Sequence, residues 1–128
     1  MLKKSFSQNL IKDGNTLRKM VSLAGISGND TVVEIGAGRG DLTRALAQCA
    51  RRVIAVELDR DMLPYLELLA TGKGREGTAN VEVVSRDILT VDLAAFGAGE
   101  KIKVMGNIPY GITGPIIFKL IGERKYIE

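Results

Sequence analysis

The chain has 128 residues, of which 45% are hydrophobic and 26% charged, a balance typical of one small globular domain. It contains one cysteine and no histidine, which excludes an internal disulfide, a cysteine-rich zinc site, histidine-based triads and the usual zinc-hydrolase centres. Its net charge of +3 permits contacts with nucleic-acid phosphates but does not require them. No stretch is apolar enough to span a membrane and the first residues lack a signal-peptide core, so we expect a cytoplasmic protein.

Apolar periodicity and turn residues predict alternating helices and strands along the chain. Helices are expected at 16–24, 42–49, 61–70 and 115–121, the second capped by Asp41, and strands at 31–35, 52–57, 81–85 and 102–106. This order predicts an α/β fold with a mostly parallel sheet and right-handed crossovers. We expect a single domain over 1–128, with an N-terminal extension and helix at 1–27 and the sheet with its crossover helices at 28–128.

A glycine loop follows the first predicted strand, in the segment Glu-Ile-Gly-Ala-Gly-Arg-Gly at 34–40. Glycines allow a tight turn and let a ligand approach the backbone closely. The dinucleotide fingerprint would need a third glycine where Asp41 stands, and a carboxylate there would repel a pyrophosphate, so NAD is disfavoured. A cofactor that carries a sulfonium and an ammonium group suits Glu34 and this loop better. The expected cofactor contacts in the loop are Glu34, Gly36, Ala37, Gly38 and Gly40.

Acidic residues also end the second and third predicted strands. Glu57 lies 21 residues after Gly36, the separation at which an acid hydrogen-bonds ribose hydroxyls in nucleoside-binding α/β folds. Asp87 follows the third strand and could accept from an adenine amino group. Each acid by itself could be a solvated strand end, but together with the glycine loop they favour a nucleoside site.

The tetrapeptide Asn107-Ile108-Pro109-Tyr110 follows the fourth predicted strand and therefore falls beside the expected cofactor. Its chemistry suits an exocyclic amine. The Asn107 side-chain oxygen and the Pro109 carbonyl can each accept one hydrogen of adenine N6, which turns the nitrogen lone pair toward a methyl donor. Tyr110 offers an aromatic face to a base taken out of its stack. No general base is required, because the amine attacks while neutral.

Several segments together resemble the KsgA/Dim1/Erm family of ribosomal RNA adenine N6-dimethyltransferases. They are Gln8-Asn9-Leu10-Ile11, the loop at 34–40, Val56-Glu57-Leu58-Asp59, Arg86-Asp87-Ile88, Asn107-Ile108-Pro109-Tyr110 and the continuation at 112–120. The resemblance implies a Rossmann-like S-adenosylmethionine-dependent methyltransferase domain, followed by a small helical domain. It implies two methyl transfers to one adenine N6. The KsgA-like branch, which acts on adjacent adenosines of small-subunit rRNA, is favoured over the Erm branch, which acts on large-subunit rRNA.

By position, the resemblance also assigns site residues. Cofactor contacts fall on Gln8, Asn9 and Ile11 near the start, on the loop glycines, on Glu57 and Leu58, on Asp87 and Ile88, and on Asn107. The target base falls on Asn107, Ile108, Pro109 and Tyr110. No metal is implied.

The sequence departs from the family pattern in two ways. Ser7 and Leu10 stand where many members have glycine and phenylalanine, and both changes look tolerable. The family's last strands and helical domain are not in these 128 residues. We therefore expect a truncated chain that keeps most cofactor contacts with weak or no activity. The sheet edge that truncation exposes is a candidate dimer contact.

Three other functions stay open from the sequence. DNA adenine and protein glutamine methyltransferases use a related tetrapeptide, usually with proline where Ile108 stands. A non-catalytic module could bind the cofactor or RNA during ribosome assembly. A nicotinamide oxidoreductase is the least favoured.

Overall fold

The computed structural model describes residues 14–71, 80–97, 99–106 and 127. The helices are α1 (Gly14–Leu23), α2 (Asp41–Ala47), α3 (Leu63–Ala70) and α4 (Leu93–Gly97), and a 3-10 turn covers Ile88–Thr90. The strands are β1 (Thr31–Ile35), β2 (Arg52–Val56), β3 (Val81–Val84) and β4 (Lys103–Gly106). Within the described residues, no helix is long and apolar enough to cross a membrane.

The four strands form one parallel sheet in the order β3-β2-β1-β4, which confirms the α/β class expected from the sequence. Ile35 at the end of β1 lies opposite Val56 of β2 and Gly106 of β4, and Val56 lies opposite Val84 of β3. All four strands therefore end at one edge of the sheet. The chain order reverses direction between β1 and β4, the place where open α/β sheets form a ligand crevice.

Both faces of the sheet are covered, which explains why β1 is buried at all five positions, including the polar residues Thr31 and Glu34. Side chains alternate between the faces. One core packs the sheet against α1, α2 and α3, and contains Leu17, Val21, Val32, Leu46, Val53, Leu66 and Val81. The other core covers the opposite face, and contains Val33, Ile35, Ile54, Val56, Ile88, Leu93 and Ile102.

An ion pair ties β4 to the amino edge of the sheet. Lys103 Nζ lies 3.0 Å from Asp30 Oδ2 and also donates to the Gly25 carbonyl at 3.0 Å. Burial by itself would raise the pKa of Asp30, but hydrogen bonds from the Ser27 backbone and from Lys103 outweigh it, so this pKa lies below its ordinary value. The pair fixes the start of β4, whose other end leads into residue 107.

The predicted strands agree with the structure to within one residue at each end, and the helix predicted at 16–24 begins two residues earlier. The predicted cap at Asp41 is wrong. Gly40 is the N-cap, with φ 93°, and Asp41 is the first helical residue. A left-handed φ is easy for glycine and costly for a residue with a Cβ, so the cap falls one position earlier. The helix predicted at 115–121 lies outside the described residues.

Two short elements were not predicted from the sequence, namely the 3-10 turn and α4. The 3-10 turn is nucleated by Asp87, whose side chain accepts from the Leu89 N–H. Helix α4 has only five residues, too few for apolar periodicity to be visible. At the far side of β4, Ile127 forms a parallel bridge with Ile102, so the chain returns to the sheet there.

Candidate functional site

A cavity of about 300 Å³ opens at the edge where the strands end. Apolar side chains from β1, β2 and the 3-10 turn line its interior, and polar groups stand around it. Its lining residues are Ile35, Gly36, Val56, Glu57, Leu58, Asp59, Arg86, Asp87 and Ile88. Five of these were predicted from the sequence as cofactor contacts, namely Gly36, Glu57, Leu58, Asp87 and Ile88. The structure thus brings residues from three loops into one cavity, of the kind that small-molecule sites use.

Glu57 holds a fixed position in this cavity. The Gly38 N–H donates to its Oε1 at 2.6 Å, and the Asp59 N–H donates to its Oε2 at 2.9 Å. The Glu57 N–H itself donates to the Val84 carbonyl at 3.0 Å, which continues the ladder between β2 and β3. Each carboxylate oxygen has two lone pairs, so both keep one with which to accept a further hydrogen bond. A carboxylate oriented in this way can accept from two adjacent hydroxyl groups of a ribose.

Asp87 stands across the cavity at the start of the 3-10 turn. Its Oδ1 accepts from the Leu89 N–H at 3.0 Å, and its carbonyl accepts from the Thr90 hydroxyl at 2.7 Å. Its Oδ2 makes no hydrogen bond to any residue that the structure describes, and can accept from an amino group. Ile88 is buried beside it, whereas the Leu58 side chain is 63% exposed at the mouth. The cavity therefore offers an acceptor together with apolar walls, the groups that a purine ring needs.

The glycine loop is held to the end of β2. The Gly36 N–H donates to the Val56 carbonyl at 2.9 Å, and the Ala37 N–H contacts the same oxygen at 3.4 Å. Gly38 has φ 59° and open space where a Cβ would lie, so glycine is required there by the backbone alone. Gly36 lines the cavity, whereas Ala37 and Gly38 do not. Gly38 acts on the site through the hydrogen bond to Glu57.

Helix α3 supports the other side of the loop. A Cβ on Gly40 would lie 2.5 Å from Leu69 Cδ1, so glycine allows α3 to pack directly against the loop. The guanidinium of Arg39 lies 5.3 Å from the centre of the Tyr65 ring, a cation–π contact between the loop and α3. Gly40 does not line the cavity, and the structure gives it a packing role.

Glu34 is buried beneath the loop, with 1% of its surface exposed, and does not line the cavity. Its Oε1 accepts from the Thr43 hydroxyl at 2.5 Å. Burial is the main cause that raises its pKa to about 8; the Thr43 hydrogen bond opposes this, and the charges of Glu57 and Asp41 add to it. The carboxyl is therefore neutral near pH 7 and offers no net charge to a sulfonium. A direct contact between Glu34 and a cofactor stays a prediction.

Seven predicted site residues lie outside the described residues, namely Gln8, Asn9, Ile11, Asn107, Ile108, Pro109 and Tyr110. The end of β4 nevertheless constrains where the tetrapeptide begins. Gly106 pairs with Ile35, which lines the cavity, and a Cβ on Gly106 would lie 2.4 Å from the Ile35 carbonyl oxygen. Residue 107 therefore follows a strand end that adjoins the cavity wall.

The site residues assigned from the sequence leave out five residues that shape the site. Ile35, Val56, Asp59 and Arg86 line the cavity, and Thr43 holds Glu34. The four lining residues lie within segments on which the family resemblance rests, so their place in those segments was the available signal. No pattern marked Thr43, because its partner lies nine residues away across the loop. No group of residues that could hold a metal ion is found in the described part of the chain.

Comparison with known proteins identifies the protein family that this chain matches. A family model described as ribosomal RNA adenine dimethylase matches residues 1–127. The ribosomal RNA small subunit methyltransferase A of Prosthecochloris aestuarii is 44% identical over 126 residues, which make up 98% of this chain and 45% of that protein.

Two solved structures have the same fold. The 23S rRNA methyltransferase ErmE is 33% identical with a TM-score of 0.74, over 91% of this chain and 43% of that one. A dimethyladenosine transferase from Plasmodium falciparum is 33% identical with a TM-score of 0.73, over 91% of this chain and 40% of that one. The Rossmann-like methyltransferase fold expected from the sequence is thus confirmed, and the chain spans less than half the length of these relatives.

Proposed function

The chain belongs to the ribosomal RNA adenine dimethylase family, and from that premise we propose that it binds S-adenosylmethionine and serves methyl transfer to adenine N6 of ribosomal RNA. One observation carries the proposal. The Glu57 carboxylate is fixed by the Gly38 and Asp59 amides at a cavity that also contains Asp87. Acceptors at these two strand ends match the ribose hydroxyls and the adenine amino group of one nucleoside.

The residues present fit the nucleoside part of this cofactor. Glu57 retains acceptor capacity on both oxygens, and Asp87 does so on Oδ2. Leu58 and Ile88 supply apolar surface for the purine between these acceptors. A pyrophosphate, by contrast, would meet three carboxylates, Glu57, Asp59 and Asp87, against the one guanidinium of Arg86, and this excess of negative charge in the cavity lining disfavours a dinucleotide.

The tetrapeptide after β4 would hold the target base. The bound cofactor supplies an electrophilic methyl group. Asn107 and Pro109 would each accept one hydrogen of adenine N6 and so direct its lone pair toward the cavity, while Tyr110 would stack on the extruded ring. The chain needs no histidine for this reaction, because the attacking amine is neutral and loses its proton after transfer.

The small ribosomal subunit is the favoured source of the RNA. The relative from Prosthecochloris aestuarii carries the small-subunit name and is 44% identical, whereas ErmE, a 23S rRNA methyltransferase, is 33% identical. Two methyl groups on adjacent adenosines, a cytoplasmic location and a dimer through an edge of the sheet belong to the same proposal. A strictly monomeric sedimentation profile would remove the dimer.

Calorimetric titration of S-adenosylmethionine into the chain tests the proposed cofactor, and a separate titration with NAD provides the comparison. We expect saturable binding of S-adenosylmethionine and none of NAD. Glu57→Ala should abolish most of the affinity, whereas Glu82→Ala, an exposed glutamate on β3, should not change it. Binding of NAD, or equal affinities for the two variants, would contradict the proposed site.

A chimaera tests the reaction. Because the chain matches 126 residues of the Prosthecochloris protein, it can replace them within that protein's full length. We expect the chimaera to form N6,N6-dimethyladenosine in small-subunit RNA, detected by mass spectrometry of the nucleosides, and the Asn107→Ala chimaera to form none. A fully active Asn107→Ala chimaera would exclude the assigned role of the tetrapeptide. Methylation confined to large-subunit RNA would instead favour the Erm-type reaction.

A further inference from the structure

The glycine loop is closed from beneath by two buried side chains. Glu34 precedes the loop on β1, and Thr43 follows it on α2, with exposed fractions of 1% and 0%. Their hydrogen bond, from the Thr43 hydroxyl to Glu34 Oε1, joins the two stems of the loop across nine residues. Neither residue lines the cavity, yet Gly36 lies on the loop between them and does.

We propose that the Glu34–Thr43 hydrogen bond is a latch that sets the shape of the cofactor loop, and that Glu34 acts through this loop as a positioning residue. The proposal rests on the proposed function, because the loop shapes a site for S-adenosylmethionine. It differs from the sequence-based expectation, in which the Glu34 carboxylate attracts the cofactor directly.

The surroundings of Glu34 favour its neutral form. Its neighbours in register are Ala55 on β2 and Met105 on β4, and neither carries a charge. The charged groups that act on it among the described residues are Glu57 after β2 and Asp41 at the start of α2, and both are negative. The Thr43 hydroxyl stabilises the ionised form, but burial and these like charges outweigh it, so ionisation of the carboxyl is costly there.

Cofactor affinity as a function of pH tests the proposal. With a pKa of about 8, roughly one tenth of Glu34 is neutral at about pH 9, so a site that needs the neutral form should bind about tenfold more weakly there than at about pH 6.5. The amino group of S-adenosylmethionine titrates in the same range. The Glu34→Gln variant provides the reference, because it keeps an oxygen acceptor for Thr43 but cannot ionise. Glu82→Gln is the matched control on an exposed strand position.

Three results are possible in that titration. If the latch is correct, the affinity of the unaltered chain for S-adenosylmethionine should fall about tenfold relative to that of Glu34→Gln as the pH rises between the two values. Parallel pH profiles for the two proteins would overturn the proposal. So would an affinity that rises with pH relative to Glu34→Gln, because it would mean that the ionised carboxylate attracts the cofactor.

Hydrogen exchange tests the latch without any ligand. The latch can therefore be tested even if the proposed function is wrong. At one fixed pH, Thr43→Val should accelerate exchange of the amides at 36–41 about tenfold, while amides of β3 keep their rates. Thr43→Ser restores the hydroxyl and should restore slow exchange. Unchanged exchange in Thr43→Val would overturn the latch, whether or not S-adenosylmethionine binds. A chain that shows the exchange result but binds no S-adenosylmethionine would contradict the proposed function instead.

Discussion

Replacement of Glu34 by Gln should change how the stability of the chain depends on pH. The folded pKa of Glu34 is raised to about 8 from an ordinary value of 4.5, chiefly by burial. Between these values the unfolded chain releases the proton and the folded chain keeps it. The free energy of unfolding therefore falls as the pH rises, by about 1.4 kcal/mol per pH unit from this group. Below pH 4.5 both states are protonated, and above about pH 8 both are ionised, so the slope vanishes outside that window.

Glu34→Gln removes this slope and leaves the other titrating groups in place. Across about two pH units, from pH 5.5 to 7.5, the stability of the variant relative to the unaltered chain should rise by about 2–3 kcal/mol. Urea unfolding at a series of pH values measures the difference, and other groups cancel when the two curves are subtracted. Glu82→Gln should give a curve parallel to that of the unaltered chain. A Glu34→Gln curve that is also parallel would refute the buried neutral carboxyl.

Four further substitutions test the packing of the site and of the sheet that supports it. Gly40→Ala and Gly38→Ala both place a Cβ on a left-handed residue. Gly40 has the larger φ, 93° against 59°, and its Cβ would also meet the end of the Leu69 side chain. Gly40→Ala should therefore cost about 1 kcal/mol more in thermal or urea unfolding, and an equal or smaller cost would contradict the packing role of Gly40. Gly106→Ala should destabilise the chain by about 1–3 kcal/mol, because its Cβ would meet the Ile35 carbonyl, and a neutral effect in urea unfolding would contradict the close approach of β4 to β1. Lys103→Met should cost about 1–3 kcal/mol at neutral pH, because Asp30 loses its charged partner and keeps only the hydrogen bonds from Ser27. That loss should shrink as the pH falls through the lowered pKa of Asp30, and a loss independent of pH in acid titrations would argue against the pair.

The sequence was sufficient for the parts of the fold that local pattern determines. The β-branched run at 31–35 and the separation of Glu57 from Gly36 predicted both the strands and the acid that now lies in the cavity. Parallel pairing then brings the strand ends together without further information, which is why Glu57 and Asp87, predicted after separate strands, line the same cavity.

The features that the sequence could not show depend on contacts between distant residues. Burial favours the neutral form of Glu34, and that burial depends on how the chain packs around the strand end. Gly40 stays a predicted cofactor contact, and its packing against Leu69, which lies 29 residues further along the chain, is a second role that only the structure shows. Neither pattern nor spacing can reveal which helix will pack on a loop. Only the structure therefore shows that Gly36 lines the cavity whereas Gly40 packs against α3.

We infer that a nucleoside cofactor lies where β1, β2 and β3 end. Amide resonances of the nitrogen-15-labelled chain, followed during titration with S-adenosylhomocysteine, locate the ligand residue by residue. We expect the largest shifts on Gly36, Gly38, Leu58 and Ile88, with little change at Asp30 on the opposite edge of the sheet. Shifts concentrated around Asp30, or none at all from a folded chain at saturating ligand, would contradict it.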